Sequence, residues 1–254
     1  MYDERHLNLL RELIVSEYKL KDQSTFLGFV WSFLHPLLLL LILFLFFSFQ
    51  VGAGIEHYAV YLLIGLIHYT HFSNATSAAL RALRSIRELT AEAVFPKELI
   101  VLSMVASLSI EFVISMAIAL LIALLTGVEP RLSWLLIPLS ILVQMLLVVW
   151  VSLALSSIYP FARDVDHVYQ VFLRILFFAT PIFYKPELVG EGVARTLIAL
   201  NPLYYVISIS RDAVLRGEGP SLGSLAAFCA INALLLGAAL FLFKRLEPEF
   251  AENV

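Results

Sequence analysis

The strongest constraint on this chain is a stretch from Leu37 to Phe49 that is apolar except for Ser48 and reads LLLLLILFLFFSF. With its flanks, from Phe33 to Gly54, it gives 22 residues without a formal charge. At about 1.5 Å per residue, a helix of that length crosses a hydrocarbon core of about 30 Å. Because the segment is apolar on every side, it has no polar face to expose to water, and we predict that it crosses a membrane.

The composition of the whole chain supports a membrane protein. Its 254 residues are 61% hydrophobic and 15% charged, and the charged fraction is well below the roughly 25% of soluble domains. The net charge of -3 argues against nucleic acid as a partner. The first 30 residues lack the pattern of a cleavable signal peptide, and a single cysteine, Cys229, excludes an internal disulfide.

Five further apolar segments follow the first. We therefore predict an all-α, polytopic membrane protein with six transmembrane helices in a single domain over residues 1–254. The predicted spans are roughly 33–54, 58–80, 99–126, 134–159, 165–184 and 222–243.

Lysine and arginine residues orient these predicted helices, because cytoplasmic loops carry an excess of them. With the N-terminus inside, eleven of the 17 basic residues lie on the cytoplasmic side and five lie outside. The remaining one, Arg174, lies inside the fifth predicted span. We expect both termini to be cytoplasmic.

Two cytoplasmic segments are helical in pattern without being spans. Residues 3–24 carry apolar side chains at helical spacing among charged ones, which predicts an interface helix along the cytoplasmic membrane surface. These apolar residues are Leu7, Leu10, Leu13 and Ile14. Residues 81–98 are mixed in charge up to Pro96; they are either a docking helix for a soluble partner or a solvated extension of the second span.

The segment 185–221 is too polar to span the membrane and too apolar to be a free outer loop. It divides at Asn201 and Pro202, which are a good N-cap and a good first helical residue respectively. We expect two short helices that dip into the outer leaflet or cover a pore. Backbone of this kind is tolerated at membrane depth only against protein or a water-filled cavity.

Charged residues near the predicted midplane require partners. Arg174 and Glu111 lie about 15 Å and about 18 Å into their spans at helical rise, and a lone charge there costs at least about 2.5–3.5 kcal/mol. We predict that Arg174 and Glu111 approach each other, directly or through water. Either they form a structural ion pair, or Arg174 faces a conduit and meets an anionic substrate.

The fifth predicted span has one polar face that leads to aromatic residues. Arg163, His167, Gln170 and Arg174 share one side because they are spaced 4, 3 and 4 residues apart. Aromatic rings stack on the C–H faces of sugars, so a polar stripe followed by aromatics is compatible with a sugar path. The candidate channel-lining residues are Phe33, Gln170, Arg174, Phe177 and Phe178, although most of the 19 phenylalanines are expected to face lipid or the core.

Catalytic patterns are absent from the sequence. It contains no G-x-x-x-x-G-K-[ST] loop for a nucleotide, no H-E-x-x-H or Cys/His metal site and no G-x-S-x-G nucleophile. We predict no catalytic residue, no bound metal and no cofactor in this chain. If ATP drives its function, the ATPase is another chain.

Four segments carry a set of motifs in a defined order. FLGFVWSFLHP follows an amphipathic helix, AVFPKELIVLS begins the third predicted span, RDVDHVYQVFLRILFFATPIFY forms the fifth, and NPLYYVISISRDAVLRG precedes the last. In this order they resemble the permeases of polysaccharide-export ABC transporters, the membrane subunits that export O-antigen, teichoic acid and capsule chains. The resemblance covers the chain nearly end to end.

This resemblance implies a homodimer in the bacterial cytoplasmic (inner) membrane, with a channel enclosed by two copies. Two nucleotide-binding subunits would carry ATP and Mg²⁺, and the cargo would be a polysaccharide on undecaprenyl pyrophosphate. The implied coupling helix is Arg84, Ser85, Ile86, Arg87, Glu88 and Leu89. Candidates for the pyrophosphate are Arg5, Arg11, Lys19 and Arg163. Paired outer-gate helices would run from Glu187 to Arg216 and include Asn201, Pro202, Tyr204, Tyr205 and Arg211.

Two other functions are compatible with the residues. Glu111, His68 and Arg174 could form the relay of an ion- or proton-coupled secondary transporter, although the related halves typical of such folds are not evident. Alternatively, Asp164, Asp166 and His167 could serve as acid and base in a membrane enzyme that acts on a lipid-linked sugar. A structural helix start beside Arg163 is the better explanation of that second group.

Overall fold

The computed structural model describes residues 4–23, 28–85 and 95–250. Every regular element in these ranges is helical. The α-helices are α1 Glu4–Gln23, α2 Gly28–Phe47, α3 Tyr58–Ser85, α4 Glu98–Leu125, α5 Ile137–Ile158, α6 Val165–Ala179, α7 Val193–Leu200, α8 Pro202–Arg211 and α9 Leu222–Leu246. Short 3₁₀ segments occur at Gly52–Gly54, Leu132–Leu136, Pro186–Leu188 and Glu247–Glu249, and α8 continues as a π-helical turn, Asp212–Arg216.

Helix α3 lies at the centre of the bundle and packs against α2, α4, α5, α6 and α8. Its small residues Ala75, Ala79 and Ala82 are fully buried, and small side chains allow neighbouring helices to approach closely in a membrane. Helix α9 packs on α5, while α1 packs on α4 and α2. The core of the chain is therefore built around α3.

The predicted interface helix is present as α1. Leu10, Leu13 and Ile14 are half-buried and Leu7 is exposed, as expected for a helix with one apolar face. Burial raises the pKa of the Glu17 carboxyl above its ordinary value. Helix α1 is therefore docked on α4 and α2 along part of its surface rather than solvated on all sides.

Three helices of the described residues are long and apolar enough to cross a membrane: Glu98–Leu125, Leu132–Ile158 and Leu222–Glu249. They coincide with the third, fourth and sixth predicted spans, which confirms the all-α membrane fold. Val193–Leu200 and Pro202–Arg216 meet at 71°, the geometry of either a broken span or a re-entrant loop. The count of six stays a prediction.

The fifth predicted span, 165–184, is wrong in length. Helix α6 ends at Ala179, and its 15 residues extend only about 22 Å at helical rise. Thr180 is extended, with φ -95° and ψ 130°, because the ring of the following Pro181 disfavours helical backbone at the residue before it. Residues 180–186, which we call the strap, continue the chain without an α-helix.

Helices α3 and α6 are joined by hydrogen bonds along their length. The Tyr69 hydroxyl donates to the Leu173 carbonyl at 2.8 Å, and the Tyr169 hydroxyl donates to Thr76 Oγ1 at 2.6 Å. In an apolar environment each of these hydroxyls needs a partner. The two helices are thereby fixed in register.

A buried polar network joins four helices in the interior. His68 Nε2 lies 2.9 Å from Ser210 Oγ and His68 Nδ1 lies 3.4 Å from Gln144 Oε1, while Gln144 Nε2 donates to the His68 carbonyl at 3.1 Å. The network continues from His71 to Ser109 at 3.2 Å and from Ser210 to Ser140 at 2.7 Å. Because these residues belong to α3, α4, α5 and α8, the network fixes the relative positions of those helices.

Replacing Gln144 with Leu removes the amide that bridges His68 and leaves buried polar atoms without partners. We expect the free energy of unfolding to fall by about 1–3 kcal/mol, the cost of leaving a buried polar group unpaired. The matched variant Gln50→Leu changes an exposed turn residue and should leave stability nearly unchanged. Thermal unfolding of the detergent-solubilised chain measures both, and equal midpoints would contradict the structural role of the network.

Candidate functional site

The first candidate region is the end of the bundle where α3 ends and α6 begins. Arg81 Nε and Nη2 donate to the two carboxylate oxygens of Asp166 at 2.9 and 2.8 Å. Such bidentate pairs are the strongest arginine–carboxylate contacts, although half of the Arg81 side chain is exposed and solvent weakens the pair. This contact anchors the start of the segment 81–98 to α6.

The beginning of α4 is anchored at the same end by α9. Lys244 Nζ donates to the buried Glu98 at 2.7 Å and to Glu247 at 3.1 Å. Glu247 also accepts a hydrogen bond from the backbone N–H of Lys97 at 3.0 Å. Both boundaries of the undescribed residues 86–94 are therefore attached to rigid helices.

The predicted coupling residues are only partly visible. Arg84 is exposed near the end of α3, whereas Ile86, Arg87, Glu88, Leu89 and the side chain of Ser85 lie outside the described residues. Among the predicted pyrophosphate residues, Arg11, Lys19 and Arg163 are exposed, and the side chain of Arg5 is likewise not described. Their predicted roles remain predictions.

The candidate channel-lining residues of α6 fall into two groups, one packed against α3 and one exposed. Gln170 donates to Ser77 of α3 at 3.2 Å, and Phe177 contacts the Tyr69 ring edge-to-face at 5.0 Å. Arg174 and Phe178 are instead exposed in a single copy. The structure thus brings Gln170 and Phe177 against α3 and leaves the other two at the surface, while the side chain of Phe33 lies outside the described residues.

Glu111 and Arg174 are not brought together. Glu111 lines a cavity of about 30 Å³ with His71 and Asn74, between α3 and α4, whereas Arg174 is exposed on α6. Among the described ion pairs none joins the two side chains, so a direct pair within one copy is not what the structure shows. Residue spacing predicts a depth for each side chain within its span, but not the direction in which the side chain points.

At the opposite end of α3 the strap is held by side chains. The Tyr58 hydroxyl donates to the Phe183 carbonyl at 2.8 Å and the Tyr61 hydroxyl to the Tyr184 carbonyl at 2.9 Å. Lys185 also donates to the Gly54 carbonyl. The two tyrosine bonds satisfy strap carbonyls that have no helical partner.

Arg211 of α8 is the central residue of this end. It is 4% exposed, and its Nε, Nη1 and Nη2 atoms donate to the carbonyls of Tyr61, Pro181 and Ile182 at 3.0, 2.6 and 2.7 Å. Its Cζ also lies 3.5 Å from the centroid of the Tyr61 ring, a cation–π contact. One side chain therefore joins α3, the strap and α8.

Gly65 provides the space for this guanidinium. A Cβ at position 65 would overlap Arg211 Nη2 and would lie 3.3 Å from both Arg211 Cζ and Ile182 Cγ2. Glycine is required here because of close approach, not because of an unusual backbone angle.

The predicted gate residues lie around this end. Asn201 Oδ1 accepts from the backbone N–H groups of Leu203 and Tyr204, which confirms the predicted N-cap, and Asn201 Nδ2 donates to Thr180 Oγ1 at 2.8 Å. Tyr205 stacks on Phe228 of α9 at 4.6 Å. Pro202 is exposed.

A cavity of about 330 Å³ lies between the strap, α3 and α8; we call it the strap cavity. Its polar lining consists of Glu56, Tyr61, Lys185, Glu187, Tyr204, Ser208, Arg211, Asp212 and Arg216. Tyr204, a predicted gate residue, is half-buried there.

Sequence reasoning selected Arg211 but missed its burial and missed Gly65, Tyr58 and the strap. One signal was available: Leu203, Ile207 and Arg211 are spaced four residues apart, so Arg211 lies on the apolar face of its helix. An arginine on such a face needs buried acceptors. Nothing in the sequence identifies strap carbonyls as those acceptors.

Comparison with known proteins identifies relatives along nearly the whole chain. A family model described as ABC-2 type transporter matches residues 8–215. The O-antigen export system permease protein RfbA of Myxococcus xanthus is 28% identical over 251 residues, which cover 98% of this chain and 96% of that protein. A protein of the same name from Klebsiella pneumoniae is 28% identical over 253 residues, which cover 97% and 96%.

Replacing Gly65 with Ala should displace the Arg211 guanidinium and weaken its bonds to the strap. We expect a loss of about 1–3 kcal/mol in the free energy of unfolding, as for other overpacked sites. The matched variant Gly237→Ala introduces a Cβ into open space within α9 and should raise stability by up to about 1 kcal/mol, the helix preference for alanine. Thermal unfolding in detergent compares them, and a shift of the same sign in both variants would be evidence against this packing.

Proposed function

Since this chain belongs to the ABC-2 type transporter family, we propose that it is the membrane subunit of an ATP-driven exporter that moves lipid-linked polysaccharide such as O-antigen. The support comes from its relatives, which are named as O-antigen export permeases and align with it over nearly their full length. The sequence contains no nucleotide-binding loop. A transport subunit that depends on a separate ATPase accounts for both observations.

The exposed surface of α6 is the main observation in favour of a conduit. Arg174 is exposed in one copy, beside the exposed apolar residues Val171, Ile175 and Phe178, and no described residue pairs with it. If Arg174 faced lipid, its charge would lie about 15 Å into the span and would cost at least about 2.5–3.5 kcal/mol. This favours a second copy or a water-filled path against this face of α6.

We therefore propose that two copies associate and enclose the channel between them. Arg174 and Phe178 are the lining residues that the exposed face of α6 supports. Phe33 remains a candidate from the sequence, and Gln170 and Phe177 would act by fixing α6 on α3 through their contacts with Ser77 and Tyr69. The hydrocarbon faces of sugars would pass along the aromatic rings.

Energy would enter at the end of α3. The residues Arg84 to Leu89 would contact the ATPase subunit that binds ATP and Mg²⁺, with α1 at the same interface. The Arg81–Asp166 pair supports this placement, because it joins the beginning of the coupling segment to α6. Displacement of the segment by ATP-driven closure would then move α6 with it.

In this proposal the chain crosses the bacterial inner membrane six times, and both termini are cytoplasmic. Exposed Arg11, Lys19 and Arg163, together with Arg5, would meet the carrier pyrophosphate, for which arginine is chemically suited. The segment from Glu187 to Arg216 would be the outer gate. The hydrogen bond from Asn201 to Thr180 supports coupled movement of α8 and the strap.

The coupling proposal is tested by replacing residues 84–89 with a Gly-Ser linker of equal length. We expect the co-expressed ATPase subunit no longer to co-purify with the chain and polymer export to stop, while the variant itself stays folded. The matched control replaces six residues at the other end of the bundle, 188–193, which are mainly exposed; it should retain the ATPase. Retention by both variants would contradict the assigned interface.

Energy coupling needs a separate measurement. Export should stop when the partner ATPase carries a substitution that abolishes hydrolysis, and should continue when an uncoupler collapses the proton gradient with ATP held constant. Export that persists without ATP hydrolysis would exclude the proposal and favour an ion- or proton-coupled transporter.

A further inference from the structure

We propose that the strap cavity is a binding site for one uncharged sugar unit. It lies at the end of α3 opposite the coupling segment, about 35 Å from Arg81 along the helix axis at helical rise. The inference rests on the proposed function for the source of the sugar, which would be the exported polymer. Its position corresponds to the outer, exit side in the orientation proposed above.

The size of the strap cavity fits a small ligand. Its volume of about 330 Å³ falls at the lower end of the roughly 300–1,000 Å³ of typical ligand sites. Its walls are largely fixed, because Arg211 and Tyr61 hold the strap to α3 and α8. A preformed site of this kind loses little conformational entropy on binding.

The charges of the lining favour an uncharged ligand. Three cations and three carboxylates line the strap cavity, so it carries no formal excess of either sign. Arg216 pairs with Asp212 at 3.0 Å, Lys185 donates to Gly54, and Arg211 is saturated on one side by carbonyls. The lining therefore offers no surplus of positive charge to a phosphate, and no group of three or more acidic, cysteine or histidine side chains among the described residues could hold a metal ion.

The lining of the strap cavity has both donors and acceptors that are not yet used in hydrogen bonds. The Tyr204 hydroxyl and the Glu187 carboxylate form no hydrogen bond with a described residue, while the three bonds of Arg211 use three of its five N–H groups. A ligand must therefore donate to Glu187 and accept from Arg211 at once. Hydroxyl groups do both, and a ring that carries several of them matches this lining.

The apolar part of the lining completes the match. The half-buried Tyr204 offers a ring, and Ile55 and Leu215 offer aliphatic surface. Pyranose rings present C–H faces that pack on such surfaces. In contrast, the Tyr61 ring is already covered by the Arg211 guanidinium at 3.5 Å, so the geometry points to Tyr204 as the stacking residue.

Binding can be measured on the full-length chain in lipid nanodiscs by saturation-transfer difference NMR, which detects weak ligands. The probes are glucose, galactose, mannose, rhamnose and N-acetylglucosamine at millimolar concentration, with empty nanodiscs as reference. We expect at least one sugar to receive saturation from the wild-type chain. Glu187→Ala should weaken its affinity about tenfold, because a hydrogen bond to a charged acceptor is lost.

The matched control is Glu191→Ala, which removes an exposed carboxylate four residues away that does not line the strap cavity; it should bind like wild type. Tyr204→Phe removes only a hydroxyl and should weaken binding about threefold. Because Glu187 is exposed and Phe retains the ring, both variants should fold. No transfer above empty nanodiscs, or equal transfer to the Glu187→Ala and Glu191→Ala chains, overturns the site.

Export is measured in parallel, so that the two proposals can fail separately. A chain that restores polymer export to a strain lacking its permease, yet binds no sugar, contradicts only the strap-cavity site. A chain that binds sugar but exports nothing with an active ATPase partner contradicts the proposed function.

Discussion

Burial of the Arg211 guanidinium organises one end of this molecule. A buried charge is costly unless polar groups surround it, and here the surrounding groups are backbone carbonyls rather than a carboxylate. Two of those carbonyls exist as free acceptors only because Pro181 ends α6 and leaves the strap outside a helix. The proline, the strap and the arginine therefore depend on each other. The helix break leaves backbone carbonyls free to accept hydrogen bonds, and the arginine donates to them.

The second buried polar centre reinforces the first. His68 of α3 contacts Ser210, the residue immediately before Arg211. Helix α8 is consequently attached to α3 by two adjacent side chains, one bonded to a histidine and the other to carbonyls. Helix α7 differs, because seven of its eight residues are exposed and it meets α8 at 71°. The two short helices between α6 and α9 are therefore unequal, one fixed to the core and one lying on its surface.

Hydropathy and cap chemistry predicted much of this fold. The third span was expected at 99–126 and is Glu98–Leu125, and Asn201 caps α8 as expected, because apolar length and N-cap geometry are local properties. The fifth span was overestimated because the apolar composition continues past Pro181, where the backbone does not. Sequence spacing predicted a depth for Glu111 and Arg174, but it did not predict that Glu111 lines a cavity with His71 while Arg174 lies on the surface. Such facts depend on how helices are rotated against each other.

The pairing of α3 with α6 has a mechanical consequence. Tyr69 and Tyr169 join the two helices at mid-length, Arg81 joins them at one end, and Tyr58 and Tyr61 hold the continuation of α6 at the other. Because hydrogen bonds join the two helices at several positions along their length, neither helix can slide or pivot against the other without breaking some of them. We expect α3 and α6 to move as one rigid body, so that hydrogen exchange would slow or quicken in both helices together. Any sliding within the bundle must then take place between other pairs of helices.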